Sequence, residues 1–239
     1  MSTQGVQYGP EVASVYDTMI GAAMPTESTV EILRPVVTGK DVLEVGVGTG
    51  RIAGPVAPLT RSFTGIDNSP DMLAVLRSKN LGADHVTFLQ ADFRSPFATD
   101  RSFDVAYSTM GSLACVGSRA ELVTALEHIA ERLRPGSPLW LEYYARDIYL
   151  NLAAAGQFSA ADPEGREVEF TVRLDEATEV LTMGTRLASE PGRQVEFDES
   201  VLLLPVEDVE KCLAEAGFTE VRFLSGQGMP YDWFTAQRP

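Results

Sequence analysis

Histidine, cysteine and positive charge are all scarce in this 239-residue chain, and each scarcity removes a class of function. His85 and His128 are the two histidines, too few for a multi-histidine metal site or for most histidine-relay triads. Cys115 and Cys212 are too few and too far apart for a disulfide framework or a cysteine-rich zinc site, so no metal is expected. The 19 Lys and Arg stand against 34 Asp and Glu, a formal net charge of −15. That balance argues against nucleic acid, whose phosphates demand clustered cations, and against an anionic membrane surface; a small anionic substrate met locally stays open. No stretch approaches the roughly eighteen apolar residues of a membrane span. The opening MSTQGVQYGPEVAS lacks a basic-then-apolar leader pattern, so the expected address is the cytoplasm. What the chain does have is apolar content, 44%, enough for one large core or a core carrying a substantial insertion.

From Asp41 to Tyr144, short apolar runs alternate with helical patterns. DVLEV (41–45), SFTGI (62–66), HVTFLQA (85–91), FDVAYS (103–108) and PLWLEYY (138–144) predict strands, and helix-sized spacers between them predict a parallel sheet. Ser69-Pro70-Asp71 starts one helix, and Ser118 with Glu121 forms a capping box for another that Pro135-Gly136 stops. After about Ala160 the period changes to two: Val168, Phe170, Val172 and Leu174; Leu181, Met183, Thr185 and Leu187; Val195, Phe197, Val201 and Leu203. With turns at Asp162–Gly165 and Pro191-Gly192, these runs predict antiparallel strands with one buried face. A helix over 205–216 and strands at Phe218–Leu224 and Tyr231–Ala236 complete the chain.

The decisive segment is Glu44-Val-Gly-Val-Gly-Thr-Gly50, which runs from a buried strand toward a helix expected to begin near Arg51. Glycines at such a junction let the main chain turn sharply and let a ligand touch backbone. The dinucleotide fingerprint needs glycine at position 51, which is arginine, and no Gly-Lys-Ser/Thr follows to make a P-loop. Glu44 beside the loop repels a diphosphate and attracts a cation.

These residues resemble the class I S-adenosylmethionine-dependent methyltransferases. Glu44–Gly50 is similar to their first motif and Gly65-Ile-Asp67 to their second. Ala91-Asp92-Phe93, Phe103–Ser108 and Leu133-Arg-Pro-Gly136 are similar to the runs that follow. The resemblance implies an α/β, Rossmann-like methyltransferase fold: a mostly parallel sheet with helices on both faces and an inserted antiparallel segment after the fifth strand. It implies a single domain over 1–239, with an N-terminal helical lid region (1–40), a cofactor-binding core (41–160), the antiparallel insert (161–204) and a C-terminal helix and strands (205–239).

S-adenosyl-L-methionine is then the implied cofactor, and the resemblance gives each motif residue a part. Gly46, Gly48 and Gly50 pack against the methionine and ribose, with Glu44 near the ammonium or holding the loop. Asp67, with Asn68 beside it, meets the ribose hydroxyls; Asp92 accepts from the adenine amino group; Phe93 offers its N–H and ring; Ser108 lines the methionine side. Tyr16, with Tyr8, matches the aromatic lid region. Each has a plainer reading: Asp67 as a helix cap, Asp92 as a turn former, Met72 as core rather than cofactor contact.

On the acceptor side Tyr143 is the candidate catalytic residue, with Tyr144 and Glu142 nearby; strand alternation forbids all three from facing one pocket, and the tyrosines could equally pack against the insert. Ser108–Ala114 lacks the Asn/Asp-Pro-Pro-Tyr/Phe run of relatives acting on bases or glutamine, which points to a small molecule. The insert resembles that of aminosugar N-methyltransferases of natural-product pathways, where it shapes the substrate pocket and a homodimer. The expected reaction is methyl transfer to nitrogen or oxygen. A cyclisation that uses the sulfonium without transferring its methyl needs the same glycine loop, as does a non-catalytic binder.

Overall fold

The computed structural model describes residues 8–21, 26–81, 84–162, 165–190, 193–226 and 229–239. The expected turn at Pro191-Gly192, the Pro163-Glu164 part of the earlier one and the first seven residues of the lid region lie outside the described residues.

Two helices, α1 (Pro10–Gly21) and α2 (Thr26–Val37), precede the sheet. Strands β1 (Asp41–Val45), β2 (Ser62–Asp67), β3 (Val86–Gln90), β4 (Val105–Ser108) and β5 (Pro138–Tyr144) follow, with β10 (Thr219–Leu224) and β11 (Tyr231–Gln237) at the end of the chain. They form one seven-stranded sheet in the order β10-β11-β5-β4-β1-β2-β3, in which β11 alone runs antiparallel to its neighbours. Both faces are covered, so adjacent residues of a central strand are equally buried: Val42 belongs to one apolar cluster with Val30, Leu33 and Val37 of α2, and Leu43 to another with Leu122, Leu126 and Ile129. That double burial explains why DVLEV and VAYS read as continuous apolar runs rather than alternations.

The helix starts behave as their chemistry predicts. The Ser69 hydroxyl accepts from Met72 N at 3.1 Å to cap α4 (Pro70–Ser78), and Ser118 accepts from Glu121 N to cap α5 (Arg119–Arg132). The return bond of the capping box goes one residue further back, from Gly117 N to Glu121 Oε2 at 2.8 Å. The helix expected near Arg51 is reduced to a single turn, α3 (Ala53–Val56), followed by the 3-10 turn Ala57–Leu59. Pro58 has no N–H to continue an α-helical ladder, so the chain tightens there.

Between β5 and the C-terminal helix α7 (Val206–Glu215) lie α6 (Arg146–Ala155) and a second, antiparallel sheet. Its strands are β6 (Gln157–Ala161), β7 (Glu167–Asp175), β8 (Val180–Glu190) and β9 (Arg193–Leu202), hydrogen-bonded in that order. Sequence reading identified β7, β8 and β9 but not α6 or β6. The β6 strand, QFSAA, is short and exposed along most of its length, so it carries little periodic signal.

Candidate active site

The strand order reverses between β1 and β4, and an open α/β sheet forms its crevice at the carboxyl ends of strands beside such a reversal. A pocket open to solvent lies there. The glycine loop after β1 forms its floor. Gly46 and Gly48 both have positive φ, and each meets a different constraint. A Cβ on Gly46 would lie 2.5 Å from the Ser112 side chain, so neighbouring protein forbids it. A Cβ on Gly48 (φ +54°) would meet nothing within 4 Å: it would point into the open pocket. Gly50 serves the fold instead. It does not line the pocket, and a Cβ there would strike Leu76 of α4 at 2.1 Å.

Asp67, the last residue of β2, is fastened to this loop. Its Oδ2 accepts from Gly48 N at 2.8 Å and its Oδ1 from Ser69 N at 2.9 Å. Burial pushes its pKa up, and these main-chain N–H groups pull against that rise. Asn68, Met72 and Phe93 line the same wall, and Tyr16 and Met19 of α1 face them. Met72 is both core and wall, almost wholly buried yet touching the pocket.

A smaller lobe behind Gly46 and Gly48 is lined by Glu44, Thr49, Arg51 and Thr109. Burial pushes Glu44 up to about 8, against the opposing pull of the Tyr107 hydroxyl, which donates to Glu44 Oε2 at 2.8 Å, and of Arg51. Arg51 donates to Thr26 at the start of α2. Sequence reading used Arg51 only to exclude a dinucleotide loop; its position puts a guanidinium in a buried lobe opposite a carboxylate.

Three expected positions lie elsewhere. Asp92 does not line the pocket: it makes a turn, accepting from Arg94 N at 2.9 Å, and pairs with the Arg94 guanidinium at 2.6 Å. Arg94 is the residue that reaches the pocket wall, and its guanidinium lowers the Asp92 pKa. Ser108 is fully buried and donates to the Val45 carbonyl at 2.9 Å, tying β4 to β1; Ser112 takes its expected place. Tyr143 points to the opposite face of β5 and donates its hydroxyl to the Leu202 carbonyl. By strand alternation its neighbour Tyr144 faces the pocket. Glu142 accepts from Met110 N at 2.6 Å and so holds the left-handed Met110–Gly111 turn, where a Cβ on Gly111 would collide with the Tyr144 ring.

Neither histidine reaches the pocket. His85 bonds the Ala57 carbonyl and His128 the Phe93 carbonyl, each at 3.2 Å.

The remaining wall comes from the antiparallel sheet. Registers Phe170↔Thr185↔Phe197 and Val172↔Met183↔Glu199 put these residues on one face, and five of them line the pocket. Glu199 is the residue that sequence reading missed. Its Oε2 accepts from the Tyr8 hydroxyl at 2.8 Å and its Oε1 from the Tyr144 hydroxyl at 2.5 Å. The signal was present: along Val195, Phe197, Val201 and Leu203, position 199 is the acidic interruption of an apolar parity.

Comparison with known proteins agrees with this geometry. Residues 42–136 match the family described as a methyltransferase domain. A dTDP-3-amino-3,6-dideoxy-alpha-D-glucopyranose N,N-dimethyltransferase of Streptomyces fradiae is 27% identical over 190 residues, covering 77% of this chain and 72% of the relative. The CcbJ methyltransferase from Streptomyces caelestis superposes with a TM-score of 0.82 at 20% identity, covering 97% of this chain and 98% of its own. A sugar N-methyltransferase from Streptoalloteichus gives 0.73 at 25% identity, covering 100% of this chain and 98% of its own. Both share the fold of the whole chain, insert included. Among the described residues no helix is long and apolar enough to cross a membrane.

Proposed function

From the premise that the chain is a class I S-adenosylmethionine-dependent methyltransferase, we propose that it methylates an amine nitrogen of a small natural-product intermediate, an amino sugar or a compound of similar shape. The observation that carries this reading is the pocket itself, which has the glycine loop on one side and the antiparallel sheet on the other.

The residues fit the cofactor. Space is open above Gly48 where any side chain would intrude, and a fastened carboxylate stands beside it. The Asp67 carboxylate accepts from the main chain of Gly48, Ser69 and Asn68, and with about four acceptor directions it keeps capacity for a ribose hydroxyl as a charge-assisted bond. Phe93 and Met72 offer apolar surface to the adenine, and the expected adenine contact from Asp92 gives way to the Arg94 pairing. In the small lobe Glu44 would meet the ammonium and Arg51 the carboxylate of the methionine portion. The bound sulfonium supplies a methyl group already activated for transfer.

The protein's own task is alignment and exclusion of water. Tyr8 and Tyr16, with ring centroids 5.6 Å apart, close one side of the pocket. Ser69 holds the Tyr8 carbonyl at 2.7 Å, and Asp17 of α1 accepts from Thr49 at 2.5 Å beside the glycine loop. The N-terminal segment is thereby tied to both cofactor motifs. The catalytic expectation attached to Tyr143 passes to the face that carries Tyr144.

The same reading has the protein working in the cytoplasm, on a small molecule rather than a nucleic acid, with two copies pairing through the antiparallel insert; light scattering tests the pairing. The activity test is release of S-adenosylhomocysteine from S-adenosylmethionine across a panel of amino sugars and their hydroxyl counterparts. Turnover confined to amines supports the proposal. Turnover confined to hydroxyls overturns it.

A further inference from the structure

Among the described residues, the inward face of the antiparallel sheet is apolar apart from Thr185 and one charge. Val168, Leu187 and Val195 form one row of that face, and Leu174, Leu181 and Val201 another. Glu199 sits between them at the pocket wall. Both of its described hydrogen-bond donors, Tyr8 and Tyr144, are neutral hydroxyls, which orient a carboxylate without cancelling its charge. A carboxylate offers about four acceptor directions, and two are used.

Around it stand aromatic rings. Tyr8 lies 5.9 Å from Phe197 edge-on, and Tyr144 lies 5.0 Å from Tyr231. Aromatic rings clustered beside a carboxylate offer a cation attraction to the rings as well as to the acid. Positive charge is scarce in the same pocket. Arg94 is the sole lysine or arginine on the main pocket wall among the described residues, and Asp92 pairs with it. Arg51 belongs to the separate lobe behind the loop.

We propose that Glu199 recognises the acceptor as an ammonium ion, whose proton passes to the Glu199 carboxylate so that the neutral nitrogen takes the methyl as the carbon–sulfur bond breaks, and that the acceptor enters without a nucleoside diphosphate attached. This rests on the methyltransferase reading above and narrows it to a substrate class. A diphosphate brings two or more negative charges that the pocket wall has no spare cations to meet, and Glu199 would repel them. An amine-bearing glycoside or amide-linked amine meets the carboxylate and rings directly. The relative from Streptomyces fradiae is named for a nucleotide sugar, so on this point the two chains part.

The test needs no identified acceptor. Adenosyl analogues with a two- or three-carbon arm in place of the transferred methyl, ending in either an ammonium or a hydroxyl, are titrated into the wild-type protein and Glu199→Gln by calorimetry. Glutamine accepts from one tyrosine through Oε1 and donates to the oxygen of the other through Nε2, so it keeps contact with both but carries no charge. We expect the ammonium arm to bind at least about tenfold tighter than the hydroxyl arm in the wild type, and the preference to fall to about twofold or less in Glu199→Gln. Equal binding of the two arms in the wild type, or a preference that survives in Glu199→Gln, overturns the assignment. Thymidine diphosphate at millimolar concentration should leave the ammonium probe's affinity unchanged; competition overturns the exclusion of nucleotide sugars. S-adenosylhomocysteine is titrated alongside. If it fails to bind the wild type, the methyltransferase reading itself falls, a result distinct from either of the others.

Discussion

The pocket has two walls built on different principles. The wall at the ends of β1, β2 and β3 is centred on main chain and on one carboxylate fastened by main chain, with Met72 and Phe93 beside them: Gly46, Gly48, and Asp67 held at 2.8 and 2.9 Å by backbone N–H groups. The wall from β7, β8 and β9 is made of side chains projecting at alternate positions, oriented by other side chains such as Tyr8 and Tyr144. A wall of backbone can hold one ligand shape and tolerates little substitution. A wall of alternating side chains can be rewritten one residue at a time without disturbing the ladder behind it. One enzyme can thus keep its cofactor while its acceptor side diverges.

Gly48→Val is the strongest way to test that contrast. The added side chain enters open pocket space and forces valine to φ near +54°, so we expect cofactor affinity to fall beyond measurement. Far-UV circular dichroism should stay near that of the wild type. Retained binding of S-adenosylhomocysteine would show that no ligand approaches this backbone, and the distinction between the walls would be lost. Asp67→Ala comes next in size. It removes the acceptor proposed for the ribose and the brace on Gly48 N, and we expect a loss of about 1–3 kcal/mol in cofactor binding by calorimetry. Unchanged affinity in a folded variant would refute the ribose assignment.

Glu44 gives the backbone wall a pH signature. Its partners are the Tyr107 hydroxyl, Arg51 and the more distant Asp67, and burial dominates them, raising it to about 8. The folded protein therefore holds this proton more tightly than the unfolded chain does. The stabilisation that follows is fully present below the ordinary value near 4.5 and is lost as pH rises through about 8. A cationic ammonium beside Glu44 would require its ionised form, so binding releases a proton. Below about 8, cofactor affinity should rise by as much as roughly tenfold per pH unit, about 1.4 kcal/mol, and level off above. Calorimetry in buffers of different ionisation enthalpy measures the proton directly. Glu44→Gln should abolish the slope; a slope that persists assigns the proton elsewhere.

How legible each wall was in the sequence follows from the same contrast. The cofactor wall was readable because local rules fix it: glycines between a buried strand and a turn, an acid ending the second strand, a serine cap before Pro70. Even there, Asp92 and Ser108 were assigned by motif, and the deciding facts were long-range or rotameric. Arg94 sits two residues beyond Asp92 and can fold back onto it, and the Val45 carbonyl lies across the sheet from Ser108. The acceptor wall was readable as strands but not as chemistry. Period two says that residues 195, 197, 199 and 201 share a face. It does not say that two tyrosine hydroxyls from distant parts of the chain converge on the acid among them. The one-turn α3 was in principle predictable from Pro58, since local chemistry alone shortens it.

Tyr143 and Tyr144 compress the contrast into two adjacent residues, and their phenylalanine variants should separate fold from acceptor binding. Tyr143 is fully buried, and its hydroxyl is spent on the Leu202 carbonyl at the end of β9, so it joins the two sheets away from the pocket. Tyr143→Phe removes one buried neutral hydrogen bond, and we expect about 1 kcal/mol less stability in chemical denaturation with kcat and acceptor KM unchanged. Tyr144→Phe removes the 2.5 Å donor to Glu199, so it should raise acceptor KM while leaving cofactor affinity near that of the wild type. A loss of kcat in Tyr143→Phe at nearly unchanged stability would mean that its hydroxyl, rather than its neighbour's, meets the reacting groups, and the β5 alternation that divides the two walls would have to be reversed.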